Sequence, residues 1–281
     1  MRPRPTNLLA LVMLIAGCQF PPLPLLDETD AAELDAAGST DATDATEIDS
    51  SVMPPPGMVL VPAGQFRMGC NVPAGCGTVP DALPFRDVTL SRFAIDRLEV
   101  SRAQYAACVA AGACIVPPLG GLDPSSYLPV QVTYASASAY CTWLQKRLPS
   151  EAEWEKAARS HDERFYPWGD IGPTCTEARF VSCTPNMMDP VDSHPGGASP
   201  YGALNMSGNQ WEWVADWYAG NFYQTGTNVN PTGPATGTER VVRGGDYLDG
   251  ATGGTPHLMS WYRRKFAPSD NSVGFRCAVG I

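Results

Sequence analysis

The chain has 281 residues and a formal net charge of −10. The charge is uneven: residues 19–52 hold nine acids (Asp27, Glu28, Asp30, Glu33, Asp35, Asp41, Asp44, Glu47 and Asp49) and no Lys or Arg, whereas residues 53–281 hold 20 acids against 17 bases. The absence of a basic excess excludes the electrostatic footprint of a nucleic-acid binder, and 27 Gly, 27 Pro and seven Trp argue for a loop-rich fold packed around aromatics rather than a helical bundle.

Arg2 and Arg4 give a short positive start, followed by an apolar run from Leu8 to Gly17. Spanning a bilayer takes roughly 20 residues, so this run reads as a signal-peptide core. It ends Leu14-Ile15-Ala16-Gly17-Cys18, which resembles a bacterial lipobox; the other reading is an ordinary cleavable signal that happens to precede a cysteine. The lipobox implies that Cys18 is lipidated and anchors the chain to a membrane, where several acyl chains hold stably and one does not. Gln19, by the same resemblance, points to the outer membrane in a host that has one. The domain plan is therefore a lipoprotein signal peptide at 1–18, an acidic and Pro-rich tether at 19–56, and one folded domain at 57–281. The tether has few apolar groups and one sign of charge, so it is expected to be a disordered, self-repelling spacer.

The folded part opens with Met58-Val59-Leu60-Val61, the turn Pro62-Ala63-Gly64, and Phe66-Arg67-Met68, which read as strand, turn and strand. Asp87–Leu90 and Phe93–Asp96 read as a further pair. Ser101 is an N-cap for a helix to about Ala111, with Tyr105, Cys108 and Val109 on one face. Thr133 caps a second helix carrying Ala139, Tyr140, Trp143 and Leu144. Ser150-Glu151-Ala152-Glu153 is a capping box that opens a third helix through Arg159. Beyond Pro167 helical signals stop and short strands, Gly turns and aromatics follow. The fold class is mixed α+β with much irregular structure.

Setting Cys18 aside leaves eight cysteines, an even number suited to an oxidising compartment. Eight allow on the order of a hundred connectivities. Three short loops are suggestive: Cys70 with Cys76, Cys108 with Cys114, and Cys175 with Cys183; Cys141 and Cys277 then remain as a long-range staple. Zinc would need CxxC-type spacing with His partners, which the chain lacks.

Several segments together resemble the formylglycine-generating enzyme (sulfatase-modifying factor) family: Met58–Gly64 with Phe66–Gly69, Glu99-Val100-Ser101, Pro129–Thr133, Ala139–Cys141, Lys146–Glu155, Tyr166–Gly169, Asn205–Trp213, Arg243–Gly245 and Gly274–Cys277. The match is collinear over essentially all of residues 57–281. It implies a single compact domain related to the C-type lectin fold and supports the Cys141–Cys277 bridge. The family's second structural bridge is lost on both sides, near Ala158 and Lys265.

The family's enzymes bind copper(I) between two cysteine thiolates and use oxygen to convert a substrate cysteine to formylglycine; a soft thiolate pair suits that ion. Here Asp246–Phe266 contains no Cys, and Asp246 stands where the family has Ser. His257 and Met259 are single, weak candidates for copper. Formylglycine chemistry by that route is therefore not expected unless another Cys pair supplies the thiolates. Of the three histidines, His161, His194 and His257, no two share metal-ligand spacing, and no nucleophile elbow or phosphate-cradling Gly loop is present. The same window holds candidate ligand contacts in Asp246, Tyr247, Asp249, His257, Trp261, Tyr262, Arg263 and Arg264, since aromatic and Arg residues are the usual binding anchors; the alternative places Trp261 and Tyr262 in the core and the charges in solvent. Asn205, Gly208, Gln210 and Glu212 match a calcium loop of the family, with side-chain oxygens from the first and last and backbone carbonyls between; the alternative is a Gly turn with Trp211 and Trp213 in the core. The family's other calcium loop is not legible around 186–189.

The expectation is a monomeric, extracytoplasmic, lipid-anchored binding or accessory module for an exported protein, peptide or glycan, with structural calcium. The rival is a divergent oxidase acting on an exported peptide or small molecule.

Overall fold

The computed structural model describes residues 53–71, 76, 80–118, 121–250 and 257–281. The expected signal peptide with Cys18, and the tether as far as residue 52, lie outside the described residues.

The first four strands are β1 (Met58–Val61), β2 (Gly64–Met68), β3 (Arg86–Leu90) and β4 (Phe93–Asp96). They do not pair across their short turns. Instead β1 pairs antiparallel with β4, and β2 with β3. The inner pair alternates inward and outward side chains, with Phe66, Met68, Val88 and Leu90 buried, as a half-buried antiparallel sheet requires. Strand β9 (Ala278–Gly280) completes the first sheet in the order β1-β4-β9.

The three expected helices are present. α1 (Arg102–Ala110) starts at Ser101, whose capping box is closed by Gln104. α2 (Tyr134–Trp143) starts at Thr133, which accepts from the Ser136 amide. Its buried stripe is Ser136, Ala137, Tyr140 and Cys141. Trp143 and Leu144 lie beyond the stripe at the end of the helix and are exposed. α3 (Glu151–Arg159) starts with the Ser150/Glu153 capping box, and Arg147 holds the Glu153 carboxylate at 2.6 Å from the far side. One further short helix, α4 (Phe222–Thr225), lies in a stretch with no helical signal.

The second sheet has the order β7-β6-β5-β8, from β5 (Glu212–Trp217), β6 (Arg240–Arg243), β7 (Arg263–Phe266) and β8 (Gly274–Phe275). Aromatic packing joins α1 and α2 to it: Tyr105 and Tyr140 stack at 5.7 Å and both meet Phe275 edge-on. The Cys141–Cys277 bridge crosses the same cluster. Cys70–Cys76, Cys108–Cys114 and Cys175–Cys183 are also bonded.

Helix α3 carries a buried ionic system. Glu155 accepts from the Gly69 amide at 2.8 Å and pairs with Arg159 and Arg243. Glu151 takes both arms of Arg263, at 2.9 and 2.8 Å. Both carboxylates are fully buried, so each depends on its partner for solvation. Replacing Glu155 by Ala leaves Arg159 and Arg243 buried with less compensation. Such a loss costs about 3–5 kcal/mol, and chemical denaturation with the disulfides intact should show a fall of that size.

Candidate functional site

The Arg-Gly-Gly segment builds the floor. Arg243 donates to the carbonyls of Ser260, Trp261 and Tyr262 at 2.8–2.9 Å, which fixes the backbone of the last half of the candidate window. Gly244 and Gly245 both have positive φ and turn the chain outward to Asp246. The Gly208 amide bonds the Gly244 carbonyl at 2.8 Å, and the Tyr247 amide bonds the Asn209 carbonyl at 3.1 Å. The window and the Asn205–Glu212 turn are therefore one hydrogen-bonded unit.

Five of the eight candidate contact residues gather here with Trp211. Asp249 accepts from the amide of Asp246, and its other oxygen pairs with Nδ1 of His257. The His257 ring packs 4.6 Å from Tyr262 and 5.8 Å from Trp211. The exposed Arg264 guanidinium lies 5.6 Å from the centre of the same Trp211 ring. Burial raises the Asp246 carboxyl to about 6, helped by the adjacent Asp249 charge. Burial also works against the charge on Asp249, but the hydrogen bond and charge of His257 outweigh it and hold that carboxyl below its usual range.

The remaining three are placed differently. Trp261 is fully buried beside Cys70, Cys76 and Ala82, so it belongs to the core and not to a contact face. Arg263 is fully engaged by Glu151 and by the carbonyls of Asp81 and Ala219. Tyr247 is half-buried, tied to the turn through its backbone. Trp211 was expected only as core. It is buried, yet its ring supports both His257 and Arg264, and its place within the Asn-x-x-Gly-Asn-Gln-Trp-Glu-Trp run gives no sign of this second duty.

The expected calcium turn is tightly shaped. A side chain at Gly208 would begin 2.2 Å from the Arg179 carbonyl, and φ there is +80°, so only Gly fits. The carbonyl oxygen of the Asn205 side chain is buried with no partner, while its amide donates to Glu99 and to the Val191 carbonyl. An orphaned buried oxygen is what a missing hard cation would satisfy. Glu212 is less free than expected. Arg276 grips both its oxygens and the Trp154 indole donates to one at 2.8 Å. Those three bonds fill three of roughly four acceptor positions on a carboxylate, so one position remains. Gln210 turns its side chain to Gln131 and Ser272, leaving only its backbone for a cation. Of the expected set, Asn205 thus offers one free buried oxygen and Glu212 one acceptor position shared with Arg276 and Trp154, while the Gly208 carbonyl already accepts the Gln210 amide.

All eight cysteines of the described domain are bridged. Oxidised sulfur is not a thiolate, so the resting domain offers no thiolate pair.

The sulfatase-modifying factor enzyme 1-like domain matches residues 44–281. The chain belongs to this family. It is similar to the formylglycine-generating enzyme of Thermomonospora curvata, at 34% identity over 79% of this chain and 93% of that protein. It is also similar to the formylglycine-generating enzyme of Mus musculus, at 30% identity over 79% of this chain and 74% of that protein. Among solved structures, PvdO from Pseudomonas aeruginosa superposes with a TM-score of 0.68 at 27% identity, covering 80% of this chain and 94% of that one. CarF superposes with a TM-score of 0.58 at 20% identity, covering 80% and 98%, a likeness of fold alone. The family fold, an α+β architecture related to C-type lectins, is thereby fixed.

Glu99 lies behind the turn, and its carboxyl is raised to about 8, first by burial and then by the charge of Glu212. Burial likewise raises Asp216 to about 8, with Glu151 adding to it. A carboxyl whose folded value is raised keeps its proton longer in the native state. Its stabilisation is complete below the unfolded value near 4.5 and is lost as pH rises towards 8. Melting curves of metal-free protein should therefore fall in Tm between pH 5 and 8, and Glu99→Gln should flatten part of that fall.

Proposed function

We propose that this chain is a ligand-binding or accessory module of the sulfatase-modifying factor family that has given up thiolate–copper chemistry. The observation that carries it is the pairing of every cysteine of the domain into disulfides, together with a window between Arg243 and Phe266 that contains no Cys at all. Copper(I) needs soft ligands, and the window offers carboxylates, one imidazole and Met259, with Asp249 and His257 already committed to each other. What the window presents instead is a rigid, half-exposed cluster of acid, imidazole, phenol and guanidinium groups, the chemistry of recognition rather than of oxygen activation. Lipidation at Cys18 would display this face outside the cell on an acidic tether, towards an exported protein, peptide or glycan.

The test is a free-thiol count. A Cys18→Ser chain, unfolded in denaturant without reductant, should show no thiol reactivity and should not turn over a cysteine-containing peptide with copper and oxygen. Two free thiols protected by copper(I) would restore the rival reading, a divergent oxidase acting on an exported peptide or small molecule.

Calcium at the Asn205–Glu212 turn belongs to the same proposal, as a structural ion. It would supply a partner for the Asn205 oxygen and set positive charge beside Glu99 and Glu212, two buried carboxylates that share Arg276. Added calcium should raise Tm relative to chelator-treated protein, and Asn205→Ala should remove that difference; equal melting curves for the wild type with calcium and with chelator would discard the ion.

A further inference from the structure

We propose that the surface above Trp211 binds an oxyanion, the carboxylate or phosphate group of its ligand, between the Arg264 guanidinium and the Nε2 edge of His257. This rests on the binding reading above and supplies the class of ligand.

The argument begins with which groups are already satisfied. The two acids of the cluster face inward. Asp249 receives the Asp246 amide on one oxygen and His257 on the other. Asp246 receives the Leu248 amide at 2.9 Å and also hydrogen-bonds the Asp249 carboxyl. Their lone pairs are directed at the turn they close, so the cluster offers few acceptors to an incoming cation. The donors are in the opposite state. Among the described residues, the Arg264 side chain makes no hydrogen bond or ion pair; its guanidinium lies over Trp211 and 5.0 Å from the Phe266 ring centre. His257 uses Nδ1 for Asp249, and no hydrogen bond reaches Nε2 among the described residues.

Both donor groups rest on one indole. His257 packs on Trp211 at 5.8 Å and Arg264 at 5.6 Å, measured to the ring centre. A guanidinium braced by aromatic rings has less freedom to lose when it meets an anion, and its fork matches carboxylate or phosphate oxygens. The arrangement is also pinned from beneath: Arg243 fixes the carbonyls of residues 260–262, and Arg263 is locked to Glu151. Alternation along β7 then sends Arg264 outward while Arg263 points inward.

Charge sets the pH response. The groups facing His257 are Asp249 and Asp246 from the preceding turn, and Tyr262 and Arg264 from the segment that follows. Asp246 becomes fully ionised as pH rises past about 6, which adds negative charge to the cluster and weakens anion binding.

The experiment is a titration of the intact, isotope-labelled chain with sodium acetate and, separately, inorganic phosphate, following the Arg264 side-chain Nε–H and the His257 ring by NMR. The expected result is a saturable shift at both residues that weakens as pH rises and weakens roughly tenfold in Arg264→Ala, the loss of one charge-assisted hydrogen bond. A tighter response to acetate assigns a carboxylate ligand, and a tighter response to phosphate assigns a phosphoryl ligand. No saturable shift with either salt overturns the inference, as does an unchanged response in both Arg264→Ala and His257→Ala. Shifts with tetramethylammonium alone would assign a cationic ligand, overturning this inference while leaving the binding reading standing. The thiol count, which reads different atoms, decides that earlier reading independently.

Discussion

The buried pairing of acids on α3 with arginines from the second sheet is the constraint on which the rest of the molecule depends. Glu151 and Glu155 stand four residues apart on one helix face, and between them they reach Arg159, Arg243 and Arg263 as well as the amide of Gly69. Gly69 closes the circuit, because Arg159 donates to its carbonyl at 2.9 Å. One turn of helix therefore holds the end of the β2–β3 hairpin, strand β6 and strand β7 at fixed distances. Hydrophobic packing alone would allow these elements to slide; charge pairs in a dry interior resist it, because breaking one leaves an uncompensated buried charge.

The candidate face inherits its order from this arrangement. Arg243 uses Nη2 for both Glu155 and the Ser260 carbonyl, and Nη1 for the carbonyls of Trp261 and Tyr262. The candidate residues Asp246, Asp249, His257, Tyr262 and Arg264 thus sit on a floor held by buried charge pairs. A family scaffold can exchange the residues on top without disturbing the residues underneath. In this chain the sulfurs have gone into bridges, and the outward positions hold carboxylate, imidazole and guanidinium groups.

Much of this was legible in the sequence, and the reasons are specific. Helix starts could be read because Ser101, Thr133 and Ser150 satisfy orphan amides in ways only a few residue types can. Six of the eight domain cysteines sit in short loops, which leaves one pair over, and that spacing suggested the bridges. Strand existence could also be read, but strand pairing could not. The turns at Pro62–Ala63 and Ser91–Arg92 look like hairpin turns, yet the chain nests β2–β3 inside β1–β4, a choice made by long-range burial. For the same reason the sequence leaves Trp261 open between contact and core, and puts Arg263 among the contacts or in solvent when it is buried. Adjacent aromatic and cationic residues look alike on paper, and only the alternation along β7 and the distant Glu151 decide that Arg263 faces in and Arg264 out. The acids of α3 carried no such signal: five of its nine residues are charged, as on a solvated helix, and only the packing shows that all of them but Glu153 are buried.

Strand β9 pairs with β4, which itself pairs with β1, and Cys277 lies just before it, bonded to Cys141 in α2. The earliest and latest strands of the domain therefore meet in one sheet. A polypeptide made from its N-terminus cannot finish this sheet, or close this bridge, until residues 277–280 have been made. Until then Cys141 is without its native partner, and the sulfurs it can meet are Cys70, Cys76, Cys108 and Cys114, which precede it, and Cys175 and Cys183, which follow it. The order in which the cysteines appear, and not only their final distances, becomes part of what this fold must satisfy.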